Sequence, residues 1–77
     1  MFYIAEAANL PTASAPSPEP FFRAVERSER AARESLARAF ERRGASAVVA
    51  EAFASDTESV WTDFGELGIA ARVSFCA

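Results

Sequence analysis

The stretch FFRAVERSERAARESLARAFERR, residues 21–43, decides how the rest of the chain is read. Phe21, Val25, Ser28, Ala32, Leu36 and Phe40, joined by Phe22 and Ala39, recur at three- and four-residue steps, the period of one helical face. The opposite face carries Arg23, Arg27, Arg30, Glu34, Arg38 and Glu41. Glu26 with Arg30, Glu29 with Arg33 and Glu34 with Arg38 stand four apart with the acid first, the orientation that better supports a helix. Upstream, Ser17, Pro18, Glu19 and Pro20 read as start signals: a cap, prolines tolerated in a first turn, and an acid near the positive helix end. Arg42 and Arg43 suit the negative end, and Gly44 can take the left-handed stop. The spacing predicts one long helix over Phe21–Arg43, about 35 Å in length.

Charge is divided along the chain. The predicted helix holds seven Arg and four Glu. Outside it, Glu6, Glu19, Glu51, Asp56, Glu58, Asp63 and Glu66 face only Arg72, so a basic helix sits in an acidic remainder and the net charge is −3. Every basic residue is Arg; Lys and His are absent. The abundance of Ala and Arg points to a GC-rich coding bias, bacterial or viral. Without His, the commonest general base and metal ligand is missing. The lone Cys76 has no intramolecular disulfide partner, which favours an intracellular setting. No secretory signal and no run of about 18 apolar residues is visible, so a soluble, cytoplasmic chain is expected.

With 77 residues, of which 51% are hydrophobic, one small domain over 1–77 with a modest core is expected. Residues 1–8 alternate as a strand. Residues 9–20 gather four prolines and read as an extended connector. Residues 46–54 are ambiguous: Val48, Val49 and Phe53 suit a strand, while the alanines could continue a helix. A strand is preferred, because Gly44 breaks the chain before it and Ser55-Asp56 supplies a turn after it. Glu58–Phe64 and Ile69–Cys76 complete a β-meander over 45–77. The expected fold is a small α+β domain of order β-α-β-β-β, one helix covering one face of a mostly antiparallel four-stranded sheet.

One helix leaves the other sheet face open. Phe2, Ile4, Val49, Phe53, Val60, Phe64, Ile69, Val73 and Phe75 are assigned inward, which leaves Tyr3, Trp61, Asp63 and Arg72 on the open side. Aromatic residues concentrate binding energy at interfaces, so this face is the candidate binding surface. The competing reading is a locally reversed register, or Trp61 packed beneath the proline-rich segment. Glu51, Asp56, Glu58 and Glu66, with Asp63, form a second candidate: an acidic rim able to steer a basic partner.

No chemistry-bearing motif stands out. Asp56-Thr57-Glu58 lacks the spacing and glycine turn of a calcium loop. Nothing is placed to activate a serine, and glycines are too few for a phosphate cradle. The four Glu interleaved with the Arg residues, and the acidic total, argue against a nucleic-acid grip. No catalytic activity, cofactor or metal is therefore expected. The expected function is non-catalytic protein binding by a monomer or homodimer, with a host protein or nucleic-acid-handling complex as partner and no membrane contact. Occlusion of a host machine by a phage or mobile-element protein is the finer expectation, anti-CRISPR-like inhibition being the specific case. It rests on size and architecture alone, since no motif carries a family resemblance. The alternatives are a self-assembling virion component and an antitoxin-type nucleic-acid-binding regulator.

Overall fold

The computed structural model describes residues 1–77 except 15 and 18. Strand β1 spans Phe2–Asn9, β2 Glu19–Glu26, helix α1 Glu29–Arg42, α2 Ala47–Asp56, β3 Thr62–Phe64 and β4 Ile69–Cys76. The four strands form one antiparallel sheet of order β2-β1-β4-β3. Both helices lie on one face, so the class is α+β, as the sequence led us to expect.

The long helix divides in two. Residues 19–26 form strand β2 against β1, and helix begins only at Glu29. Ser28, expected on the apolar helical face, is instead the cap. Its backbone is extended and its hydroxyl accepts from the Ala31 amide at 3.1 Å. Before it, Phe22, Ala24 and Glu26 alternate with Arg23 and Val25, and aromatic and β-branched residues favour a pleated surface. Pairing with β1 satisfies this segment's backbone, which outweighs a helical period that fits equally well. Of the start signals, Glu19 and Pro20 open β2; Pro18 lies outside the described residues. Pro20 is tolerated because β2 is a sheet edge. A register shift between Ala7 and Ala8 marks a bulge beside it.

The stop at Gly44 is as expected. Its φ is +100°, its amide donates to the Glu41 carbonyl at 3.0 Å, and the Ala45 amide reaches back to the Phe40 carbonyl at 3.2 Å. These are the paired bonds of a Schellman motif.

Residues 47–54, expected within a strand over 46–54, lie in helix α2. Ser46 caps α2 by accepting from the Val49 amide at 3.3 Å. Ala50 and Ala54, four apart, are buried in the core beside α1 residues, while Val48 points to solvent. The alanines' helical propensity, with a cap before them, outweighs two β-branched residues. The meander over 45–77 is thus reduced to the β3–β4 hairpin, and the expected strand over 58–64 keeps only Thr62–Phe64. The connector over 9–20 shrinks as well, since Asn9 ends β1 and Glu19 opens β2.

The core lies between sheet and helices. Ala5 and Ala7 of β1, Ile69, Ala71 and Val73 of β4, and Leu36 and Phe40 of α1 are buried together. Small residues on the central strands let α1 approach the sheet closely. Phe40, Phe53 and Phe64 meet with ring centroids 4.8–5.9 Å apart and join both helices to the β3 end. Glu26 faces this layer too, its carboxylate accepting from Ser35 Oγ at 2.7 Å.

Candidate functional site

Residues directly opposite in an antiparallel pair share a face. Ala5 and Ala7 point to the helices, so Phe2, Ile4, Glu6 and Ala8 point away. The partners of these four build the outer face in rows. Phe2 stands opposite Cys76, Ile4 between Val25 and Ser74, Glu6 between Arg23 and Arg72, and Ala8 between Pro20 and Ala70. Asp63 continues the last row beyond Ala70. Neither helix covers this side.

The centre of the face is an ion pair. Arg72 Nε donates to Glu6 Oε1 at 2.9 Å, with 17% of the Glu6 side chain exposed and 36% of Arg72. With Glu6 largely covered and Arg72 partly so, the cost of taking the charges out of water offsets much of their attraction, and the pair orients more than it stabilises. The Arg72 guanidinium also lies 4.4 Å from the Trp61 ring centre, a cation–π contact. The loop before β3 fixes Trp61. The Glu58 carbonyl accepts from the Val73 amide at 2.9 Å, as though β3 began there. Thr62 Oγ1 then accepts from the Glu58 amide and donates to the Val60 carbonyl, both at 3.1 Å. The bond across residues 58–62 closes a short loop that lays Trp61 beside Arg72.

Around this centre the face is exposed and apolar toward Phe2 and charged at its edges, while Ala8 and Ala70 at its other end are buried. Phe2 is 46% exposed and Val25 54% exposed, with Ile4 half-buried between them. Arg23 on β2 and Asp63 on β3 are exposed, and neither has an ion-pair partner among the described residues.

Of the residues assigned to the open face, Trp61, Asp63 and Arg72 lie there. Tyr3 does not. It stands opposite Glu26 and Phe75, packs on the core and meets the Phe75 ring at a tilt, with centroids 5.1 Å apart. Phe2 and Ile4, assigned inward, are on the open face. Val49 and Val60, also assigned inward, are exposed, as is Phe75 at the sheet's end. One-residue alternation explains the exchange: placing Phe2 and Ile4 inward would have carried Glu6 in with them.

The acidic rim does not assemble. Glu51 and Asp56 are on α2, in the helical layer; Glu58 opens the Trp61 loop; Glu66 sits in the β3–β4 turn. No group of three or more His, Cys, Asp or Glu that could hold a metal occurs among the described residues. Glu51 instead shares an open groove of about 530 Å³ between α1 and α2 with Arg30, Arg33, Glu34 and Glu41. Its charges oppose one another along the walls, so it favours no ion of either sign.

No family model matches the chain, and no curated protein or solved structure is significantly similar to it. No helix among the described residues is long and apolar enough to cross a membrane.

Proposed function

We propose that this chain is a non-catalytic protein-binding module whose interface is the uncovered face of its sheet. The observation that carries this reading is Trp61, its ring against the guanidinium of the Glu6-paired Arg72, with exposed Phe2 and Val25 farther along the same face. An aromatic anchor with an oriented Arg, bordered by apolar side chains, is the composition that concentrates energy at protein interfaces. The sheet edges are poorer docking sites. Strand β3 is three residues long, and β2 carries Pro20 and a bulge, features that discourage strand addition.

In its finer form, the face covers a functional surface of a host protein machine in the cytoplasm, with anti-CRISPR-like inhibition as the specific case. Small size and an acidic balance support that form. Self-assembly is the second reading, favoured by the free Arg23 and Asp63 at opposite edges of one face.

The test is a pair of equally simple variants, Val25→Glu on the face and Val48→Glu on α2. Both side chains are exposed, so both variants should fold. Val25→Glu is expected to abolish association with partners recovered by affinity capture, and Val48→Glu to leave it intact. Equal loss, or loss only in Val48→Glu, overturns the assignment to the sheet face.

A further inference from the structure

We propose that the uncovered sheet face is closed by a second copy of this chain, stacked face to face about a twofold axis running along the strands. This rests on the face being the interface and takes up the second reading, self-assembly, in place of a host partner on that face. The strand order β2-β1-β4-β3 places β1 and β4 symmetrically about the middle of the sheet. A twofold axis above that middle lays β1 of one copy over β4 of the other and keeps each cross-strand row level with itself.

The rows are self-complementary under that operation. Glu6 and Arg72 share a row, so each Glu6 comes to lie over Arg72 of the second copy. Two parallel ion pairs become a ring of four alternating charges, and each charge lost to water gains an opposite neighbour. Phe2 shares a row with Cys76, and Ile4 with Ser74, so large apolar side chains meet small ones.

The edges match in the same way. Arg23 shares the Glu6–Arg72 row, and β2 of one copy lies over the β3 side of the other. Arg23 is thereby placed over Trp61 of the second copy, with Asp63 one row away, roughly 7 Å along the strand. The free cation of one edge meets an aromatic ring and the free carboxylate of the other edge, twice per dimer.

The area is small. Three strands of eight residues extend about 26 Å and the three-residue β3 about 10 Å, which at a spacing of about 4.8 Å gives roughly 420 Å² per copy. Two copies together bury on the order of 850 Å², an area typical of weak, transient association. Charge complementarity rather than area must carry a weak dimer of this kind.

Sedimentation of the intact chain across roughly 1–500 μM tests this, with Arg23→Asp, Asp63→Arg and the double swap alongside. The wild-type chain is expected to dimerise. Each single reversal sets like charges together and should raise the dissociation constant by about tenfold or more, whereas the double swap should recover most of it. Both residues are exposed, and circular dichroism with melting establishes that each variant folds. A monomer throughout this range overturns the second copy as occupant. If Val25→Glu still abolishes capture of another protein from that monomer, the sheet face remains the interface. A dimer indifferent to Arg23→Asp, Asp63→Arg and Val25→Glu overturns both the dimer geometry and the face. A double swap no better than the single reversals overturns the Arg23–Asp63 pairing and with it this geometry.

Discussion

Arg33 on α1 donates to the backbone carbonyl of Thr57, just beyond the end of α2, at 2.9 Å. The same nitrogen donates to the Ala54 carbonyl at 2.6 Å. Last-turn carbonyls of a helix have no partners within it, and a cation there also complements the helix dipole. Thr57 is buried, and its hydroxyl donates to the Phe53 carbonyl at 2.8 Å. One guanidinium therefore fastens the short α2 to α1. Arg33→Ala should cost about 1–3 kcal/mol in urea unfolding, because it leaves partly buried acceptors unmet. Glu29→Ala should change stability by less than about 0.5 kcal/mol, since its contact with Arg33 is a 3.7 Å exposed pair. Equal effects would show that the helix-end bonds are not what Arg33 contributes.

Leu36 is fully buried between α1 and the sheet. Leu36→Ala should cost about 2–5 kcal/mol, or roughly 8 °C or more in melting temperature for a domain of this size. Val48→Ala, at an exposed α2 position, should stay within about 0.5 kcal/mol of the parent. An unchanged melt for Leu36→Ala would contradict the placement of α1.

Gly44 holds the left-handed turn between the helices at φ +100°. A Cβ there would meet nothing within 4 Å, so the penalty for Gly44→Ala is conformational rather than steric crowding by neighbours. About 1 kcal/mol of destabilisation is expected. A neutral or stabilising result in thermal unfolding would mean that the turn takes another backbone path.

Tyr3 and Trp61 separate folding from binding. Tyr3→Ala removes a ring that packs on the core and on Phe75, and it should lower the melting temperature. Trp61→Ala removes a ring lying over Arg72 on the open face; the chain should remain cooperatively folded while association weakens at least about tenfold. The opposite pattern, a stable Tyr3→Ala and an unfolded Trp61→Ala, would reverse the two faces.

The central strands β1 and β4 were legible because their signals agree, Ile69–Cys76 alternating between polar breaks, and the end of α1 was legible from the stop at Gly44. Residues 19–26 misled because Phe21 and Val25 satisfy a helical period as well as a strand one. The decision lies in pairing with β1, a contact distant in sequence. Ser28 carried a readable signal, an N-cap residue followed by acid and alanine. Within β1, Glu6 was the informative residue. A carboxylate midway along an apolar strand seeks water or a cation, which puts Phe2 and Ile4 on the open face with it and Tyr3, Ala5 and Ala7 in the core. Arg72, Asp63 and Trp61 could be assigned because β4 alternates clearly and the turn at residues 65–68 sets its hairpin partner. Arg23 and Val25 could not, since their strand was read as helix.

Trp61 is the chain's only tryptophan, so its fluorescence reports directly on the sheet face. The most direct measurement is acrylamide and iodide quenching of Trp61 as protein concentration is raised, with light scattering on the same samples. If the face is the interface, quenching should fall and emission shift to the blue as association proceeds, and Val25→Glu should abolish both changes. Association by light scattering with Trp61 still fully quenchable would contradict it.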